Sequence, residues 1–428
     1  FCRAPTGDTE NVFNNDGVRT LVGLDVGTPK TCAVIGQEFR DTQLRILGVG
    51  TAPSHGVKGG QIVDVVLTVK AIDEAIDRAE KAARARVSGI VAGIAGGHLQ
   101  SHNEHAEVSL PTNEHEVSDH HVSAVVHGAA LLSLPSDRDV VAVIPKRFAV
   151  DHLVDVPDPR GLAARQLSVE AHVITGARNA ITNLERCAEQ AGLSVQGTLL
   201  QPLASARACL TPEQRREGVV LIDIGGGTTD VAVFVDDACW HISVIPIGGS
   251  MVTADIARGL RLPFKVAEAL KIQHGRVDPW VRHDESTVDV PGFDYGAPVA
   301  VRRRDLAEVM IARVEELLGL VRSELGQSGY AEILPAGAVI TGGGSRMTGL
   351  ENLASDSLNM PVTLGKPQAL WGLDDDLRAP EFSTGIGLVQ TAFHDENLYG
   401  FHTSRAQQEG TLGRIGTWMR SVMTPSAR

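Results

Sequence analysis

The chain has 428 residues, too many for one hydrophobic core, so we expect two or more domains. Its net charge of −13 disfavours nucleic acid as a main partner, because phosphate binding needs clustered Lys and Arg. The five scattered cysteines form no C-x-x-C pair, which is typical of a reduced compartment. No apolar run reaches the roughly eighteen residues of a membrane span, and residues 1–17 predict a polar, disordered tail without a secretory signal.

The first ordered elements alternate between strands and a helix. Residues 19–36 predict a strand, a Gly-Thr-Pro turn and a second strand, and 44–51 predicts a third. A helix is predicted over 62–86, where apolar residues recur at helical spacing, and 89–96 predicts a buried strand.

A small α/β subdomain is predicted next, because 98–176 differs in composition from its surroundings. It contains a helix candidate, Ser118–Leu132, and two strand candidates, Val140–Val150 and Leu167–Thr175. Seven of the fifteen histidines lie in the stretch 98–127. Since no cysteine or consistent ligand spacing accompanies them, they favour a polar surface over a metal site.

The rest of the chain returns to the first pattern and then repeats it. The predicted elements are a helix at 177–191, strands at 193–200, 219–237 (two strands around a glycine turn), 239–247 and 337–341, and helices at 250–259, 264–273 and 305–326.

Two glycine-rich hairpins share one pattern: LDVGTPK begins at Leu24, and IDIGGGTTD begins at Ile222. Their aspartates, Asp25 and Asp223, lie 198 residues apart, which predicts a chain of two related halves. An apolar strand brings each aspartate to a cleft, and the glycines let backbone N–H groups turn toward phosphate oxygens. The aspartates could hold a hydrated Mg²⁺. Two copies favour a nucleotide site over two plain hairpins.

A third glycine cluster, Thr341–Met347, follows a strand and is predicted to open a helix. Glycines there would let a flat ring approach the backbone, and a helix N-terminus favours phosphate; the alternative is a plain strand-to-helix turn. Glu268 and Lys271 are spaced i,i+3, which by itself is typical of a surface salt bridge. No Walker A motif, Rossmann glycine motif or G-x-S-x-G elbow is present in the sequence.

These segments resemble a known superfamily. VGLDVGTPK, LIDIGGGTTD and VITGGGSRM resemble the phosphate-1, phosphate-2 and adenosine motifs of the actin/Hsp70/sugar-kinase superfamily. TLLQPLASARACL (198–210) and STGIGLVQTA (383–392) resemble its two connecting helices, and all five occur in its order. The resemblance implies an α/β, actin-like (ribonuclease H-like) two-lobed ATPase fold with an inserted α/β subdomain.

Within that superfamily the chain most resembles the FtsA family, from Val18 to Ala392. The segments KGGQIVD (58–64), VIPKRFAVD (143–151) and AEALKIQHG (267–275) carry this resemblance. It implies the following division: tail 1–17; first lobe core 18–97, 177–213 and 371–392; inserted subdomain 98–176; second lobe core 214–248 and 331–370; outer subdomain 249–330; linker 393–410; terminal helix 411–428.

The resemblance also implies a role for each matching residue. Asp25 and Asp223 would orient Mg²⁺ and its waters, and Gln201 would orient the attacking water. A neutral amide is a poor general base, so slow hydrolysis is expected. Pro29 departs from the pattern, because it removes one possible phosphate-binding N–H. The residues implied to bind ATP are Gly27, Thr28, Lys30, Gly225, Gly226, Gly227 and Thr228 at the phosphates, Glu268 and Lys271 at the ribose, and Gly342, Gly343, Ser345 and Met347 at the adenine.

The segment Thr411–Met423 (TLGRIGTWMRSVM) predicts a helix in the membrane interface, because apolar residues at helical spacing are flanked by Arg414 and Arg420. Its apolar residues are Leu412, Ile415, Trp418, Met419 and Val422. The alternatives are a helix docked on its own domain and a frayed end. One short helix binds weakly, so stable attachment would need several copies together.

The implied function is that of an ATP-binding, actin-like cell division protein. It would polymerise on the cytoplasmic face of the membrane and tether FtsZ filaments at the division septum with other division proteins. The basic run Arg302, Arg303 and Arg304 is the expected site for the acidic C-terminal peptide of FtsZ. The alternatives are a pilus-assembly ATP-binding adaptor and a metabolite kinase of the same superfamily.

Overall fold

The computed structural model describes residues 20–39, 43–111, 115–131, 134–293 and 298–394. The expected tail at 1–17 and the terminal helix at 411–428, with Leu412, Ile415, Trp418, Met419 and Val422, lie outside the described residues. So does nearly all of the expected linker.

The described elements follow the predicted order closely. The strands are β1 (Thr20–Val26), β2 (Lys30–Phe39), β3 (Gln43–Pro53), β4 (Val57–Lys58), β5 (Gln61–Ile62), β6 (Gly89–Ile94), β7 (Leu99–Ser109), β8 (Arg138–Val150), β9 (Leu153–Val156), β10 (Gln166–Ala177), β11 (Ser194–Leu200), β12 (Val219–Ile224), β13 (Thr229–Val235), β14 (Ala238–Ile245), β15 (Thr287–Val290), β16 (Val299–Arg302), β17 (Ala338–Thr341) and β18 (Val362–Leu364). The α-helices are α1 (Val65–Ala83), α2 (Asp119–Leu131), α3 (Arg178–Gln190), α4 (Gln201–Cys209), α5 (Pro212–Glu217), α6 (Gly249–Gly259), α7 (Phe264–His274), α8 (Arg303–Ser328), α9 (Leu350–Leu358) and α10 (Ser383–His394).

Two five-stranded sheets have the same topology. Their strand orders are β3-β2-β1-β6-β11 and β14-β13-β12-β17-β18. In each sheet the leading strand pairs antiparallel with the next strand along the chain and parallel with a later one. The leading strands, β1 and β12, are buried along their whole length, which explains their continuous apolar sequence. The prediction of two related halves is confirmed.

Helices pack unusually close to these sheets at positions where the strands carry glycine. A Cβ at Gly23 of β1 would lie 2.8 Å from Cβ of Leu388 in α10, and one at Gly50 of β3 would lie 2.1 Å from the carbonyl oxygen of Ala75 in α1. Both positions therefore need a residue without a side chain.

The inserted subdomain, between β6 and α3, is a four-stranded antiparallel sheet in the order β7-β10-β8-β9, with α2 packed on it. Its core is a separate apolar cluster that includes Val126, Phe148 and Leu167. The polar-surface prediction for its histidines is wrong for His121, which is buried and accepts a hydrogen bond from the Ser118 N–H at 3.1 Å at the start of α2.

Two other predictions need correction. The strand predicted at 193–200 is confirmed as β11, so the segment 198–210 is not helical throughout and its helix, α4, begins only at Gln201. The third glycine cluster does not open an α-helix directly: Gly343–Arg346 is a 3₁₀ turn, and α9 begins only at Leu350. Within the described residues, no helix combines the length and the apolar character needed to span a bilayer.

Candidate nucleotide site

One cavity of about 590 Å³ lies where the two halves meet. Both glycine hairpins, the turn after β17 and one face of α7 line it. Because equivalent strands of the two sheets end here, the fold brings together segments about 200 residues apart. The predicted residues that line it are Asp25, Gly27, Thr28, Lys30, Gln201, Asp223, Gly225, Gly226, Gly227, Thr228, Glu268, Lys271, Gly342, Gly343 and Met347.

Asp25, near the end of β1, is buried and accepts a hydrogen bond from Nε2 of Gln201 at 2.9 Å. Gln201 is the first residue of α4, directly after β11, so its amide is held above the strand ends. Burial raises the pKa of Asp25 to about 7, opposed by the ammonium of Lys30 and assisted by Asp223. The carboxyl group is therefore poised between its two protonation states near neutral pH.

Asp223 occupies the matching place at the end of β12. Its Oδ2 accepts hydrogen bonds from the hydroxyls of Ser205 at 2.5 Å and Thr384 at 3.3 Å. Burial raises the pKa of Asp223, and these two donors with Lys30 oppose the rise. Ser205 and Thr384 lie in α4 and α10, the two connecting helices, and sequence reasoning assigned them no role.

Asp230, opposite Asp223 in the β12–β13 pairing, is a further residue to which the sequence analysis assigns no role. It lines the cavity and is 4% exposed. Burial, followed by Asp223 and Asp25, raises its pKa well above the usual value. In the part of the chain that the structure describes, no group donates a hydrogen bond to its Oδ1. The sequence feature that could have identified Asp230 is its position as the second acid of the IDIGGGTTD hairpin.

The two hairpin turns lie against each other. A Cβ at Gly226 would lie 2.5 Å from Cδ of Pro29, and one at Gly227 would lie 2.4 Å from Oγ1 of Thr28. The N–H groups of Gly27 and Gly225 close their own turns, donating to Lys30 and Thr228 carbonyls at 3.0 and 2.9 Å.

Those two glycines therefore cannot offer their N–H groups to a phosphate. Among the described residues, no protein acceptor takes the N–H groups of Thr28, Gly226 and Gly227, so these groups are free to donate to a ligand. The Lys30 ammonium lies 4.1 Å from the centroid of the Phe382 ring.

Glu268 and Lys271 of α7 form part of a network, and not the isolated surface pair that their spacing alone suggests. Nζ of Lys271 donates to Glu268 at 2.8 Å, to Oγ1 of Thr253 at 2.9 Å and to the carbonyl of Gly249 at 3.1 Å. The Lys271 side chain is only 12% exposed. The network joins α7 to the start of α6 at the cavity wall.

The turn after β17 approaches Asp223 closely. Gly342 has φ 82°, and a Cβ there would lie 2.3 Å from Oδ1 of Asp223. Gly343 and Met347 line the cavity, as predicted for an adenine site. Ser345 does not: it is buried, and its hydroxyl donates to the carbonyl of Gly342 at 2.7 Å. Its hydroxyl therefore holds the turn and is not directed at a ligand.

The basic run lies away from this cavity, where β16 meets α8, and its members already have partners. Nε of Arg302 contacts Asp305 at 2.8 Å, Arg304 pairs with Glu285, and Arg303 approaches His274 at 3.5 Å. The run is therefore less positive than its sequence suggests. Within the described residues, no cluster of His, Cys, Asp and Glu could hold a metal through three or more of them.

Comparison with known proteins decides the family. The family model described as "Cell division protein FtsA" matches residues 220–387, and "SHS2 domain inserted in FTSA" matches 96–175. The cell division protein FtsA of Pseudomonas aeruginosa is 40% identical over 371 residues, which are 87% of this chain and 88% of that protein. The chain belongs to the FtsA family.

FtsA of Neisseria meningitidis, at 36% identity, spans 94% of this chain and 98% of its own length. FtsA of Escherichia coli K12, at 34%, spans 94% and 98%. The chain is thus a cell division protein of this family.

Solved structures of low identity share the fold. The PilM–PilN type IV pilus biogenesis complex matches with a TM-score of 0.63 and 17% identity, over 87% of this chain and 98% of that one. MreB5 of Spiroplasma citri bound to ADP matches with a TM-score of 0.51 and 13% identity, over 87% and 95%. The actin-like fold class predicted from the sequence is confirmed.

Proposed function

We propose that this FtsA-family protein binds ATP with Mg²⁺ in the cavity between its halves. In that state it polymerises on the cytoplasmic face of the membrane and tethers FtsZ filaments at the division site. The observation that carries the proposal is the pair of matched hairpins, which direct Asp25 and Asp223 toward one cavity. The pilus adaptor and the metabolite kinase are disfavoured, because the FtsA relatives are 34–40% identical over most of both chains.

The cavity fits a nucleoside triphosphate. Free N–H groups at Thr28, Gly226 and Gly227 would face the β- and γ-phosphates with Lys30, and the Glu268–Lys271 network would meet the ribose. MreB5 of Spiroplasma citri has been solved with ADP and with AMPPNP, which supports a nucleotide as the ligand of this fold.

The acids fit a hydrated divalent cation. Asp25, Asp223 and Asp230 are buried with raised pKa values, and Oδ1 of Asp230 has no donor within the described residues. A cation that keeps its waters would supply both the missing charge and the missing donors. Asp25 and Asp223 would orient those waters, and Gln201 would hold a water for attack on the γ-phosphate. Because Gln201 is neutral, turnover is slow and ATP acts chiefly as a conformational ligand.

Membrane attachment is assigned to 411–428, where the apolar residues Leu412, Ile415, Trp418, Met419 and Val422 recur at helical spacing together with Arg414 and Arg420. Recruitment of the FtsZ C-terminal peptide is assigned to Arg302, Arg303 and Arg304. An acidic peptide there would exchange the partners Asp305 and Glu285 for its own carboxylates.

The deciding experiment is co-sedimentation with vesicles containing anionic lipid, with Mg²⁺ and ATP, for the full chain and for a chain lacking 411–428. We expect the full chain to carry FtsZ filaments to the vesicles and the shortened chain to leave both in solution. Trp418→Glu is the smaller perturbation and should also release the protein. Unchanged sedimentation of the shortened chain would overturn the tether. If the full chain sediments with the vesicles while FtsZ stays in solution, the recruitment step alone would be overturned.

A further inference from the structure

The inserted subdomain covers an open sheet edge that belongs to the other half of the molecule. β14 is an edge strand of the second sheet, and both outward-facing backbone groups of Ile242 are taken by the insert. The Ile242 N–H donates to Nε2 of His172 at 3.1 Å, and its carbonyl accepts from Oγ of Ser101 at 2.8 Å. An edge strand otherwise leaves such groups unpaired.

The acceptor in this contact is a neutral imidazole. His172 is 2% exposed, and its Nδ1 lies 2.8 Å from Oδ1 of Asn103. Burial, followed by His241 and Lys146, lowers the pKa of His172 to about 3. Nε2 therefore has a free lone pair at neutral pH, as the Ile242 N–H requires.

A second polar contact joins the same two parts. Nζ of Lys146, whose side chain is 1% exposed, donates to Oη of Tyr330 at 3.0 Å, while its nearest carboxylate, on Glu170, is 3.6 Å away. The Arg147 guanidinium lies 5.0 Å from the Trp240 ring. Burying an ammonium group without hydrogen-bond partners costs free energy, so loss of the Tyr330 contact would destabilise the docking of the insert on the second half.

The insert is equally well fixed to its own half. Arg178, at the start of α3, donates to Oδ1 of Asp139 in the insert through Nε at 3.0 Å and through Nη2 at 2.8 Å. Leu99 and Ile174 of the insert belong to one hydrophobic cluster with Ile181 of α3. His98, the first residue of the insert, lines the nucleotide cavity. The insert therefore moves with the first half, while its contacts at Ile242 and Tyr330 hold the second.

We propose that the inserted subdomain is a brace across the cleft, whose docking on β14 and nucleotide binding favour each other. Opening of the cavity requires the halves to rotate apart, which breaks the contacts of His172, Ser101 and Lys146. A ligand that holds the halves together preserves those contacts, and by linkage the contacts strengthen the ligand's binding by the same factor. The proposal rests on the proposed nucleotide binding.

The test uses the full chain and the double variant Ser101→Ala/Tyr330→Phe, which removes two cross-half hydrogen bonds and leaves the shapes unchanged. We measure the affinity for AMPPNP with Mg²⁺, and hydrogen exchange of the Ile242 amide with and without nucleotide. Nucleotide should slow exchange at Ile242 in the wild type. The double variant should bind nucleotide about 3- to 10-fold more weakly, as expected for one or two hydrogen bonds.

Gln166→Ala is the matched control, because it removes a bond to Glu107 at 2.9 Å within the insert and touches nothing in the second half. Its nucleotide affinity should equal that of the wild type. Equal affinity of the double variant and the wild type, with exchange at Ile242 unaffected by nucleotide, would overturn the brace and leave the proposed function standing. Failure of the wild type to bind nucleotide would overturn both.

Discussion

Gly342 faces Asp223 so closely that a Cβ on the glycine would lie 2.3 Å from Oδ1 of the aspartate. The glycine also has φ 82° and ψ 168°, a conformation that side chains disfavour. Gly342 is the first residue after β17, and its lack of a side chain leaves room for the Asp223 carboxylate near the end of β12.

Gly342→Ala should therefore lower the free energy of unfolding by roughly 1–3 kcal/mol and weaken nucleotide binding at least tenfold. Gly343→Ala is the control, because its nearest neighbour would be Cβ of Glu381 at 3.7 Å. It should change stability by less than about 0.5 kcal/mol. Denaturant unfolding and nucleotide titration measure both, and equal behaviour of the two variants would contradict the close contact.

Gln201→Ala removes the donor to Asp25 and the group assigned to hold water. We expect phosphate release to slow about tenfold or more while AMPPNP affinity changes less than about threefold, because the amide acts on the attacking water and not on ground-state binding. Single-turnover phosphate release and equilibrium binding separate the two effects. A large loss of affinity with an unchanged rate would place Gln201 in nucleotide binding alone.

Asp25 predicts a pH dependence of the protein without Mg²⁺ or nucleotide. Its folded pKa, about 7, lies above its usual value of 3.8, so the folded state holds its proton more tightly. The stability that this proton contributes is complete below about pH 4 and is lost as the pH rises through 7, by at most about 1.4 kcal/mol per pH unit. Unfolding by denaturant across this window should show a shallower decline for Asp25→Asn. The same slope in both proteins would refute the assignment.

His172 predicts the opposite trend at the brace. Its folded pKa, about 3, lies below the usual 6.5, because the buried ring is neutral beside Lys146 and His241 and accepts the Ile242 N–H. Its contribution is complete above about pH 6.5 and is lost as the pH falls toward 3. His172→Gln should show less acid destabilisation than wild type in thermal unfolding. His120→Gln, an exposed change on the same subdomain, should follow the wild type; a matching response of both variants would argue against His172.

The sequence predicts the fold well where one residue pattern implies one geometry. The two hairpins, their aspartates and the glycine cluster carry enough local information to place the cavity, because strand periodicity and glycine turns are local properties. The shared topology of the two sheets then follows from the repeat.

What the sequence cannot supply is the partner of each polar group. Ser205 and Thr384 are ordinary helix residues in sequence, and only packing of α4 against α10 brings both hydroxyls to Asp223. Ser345 is predicted to lie at the adenine, yet its hydroxyl donates to the carbonyl of Gly342. In the sequence Arg302 is part of a basic run, but in the folded protein its guanidinium is paired with the carboxylate of Asp305. Such pairings depend on tertiary contacts that no local pattern encodes.

The contact between His172 and Ile242 has a consequence for association between molecules. A bare edge strand can template the addition of a strand from another chain, which leads to aggregation. With the insert seated on it, β14 offers no such template at Ile242. The insert therefore closes this edge of the second sheet to strand addition by another copy of the chain.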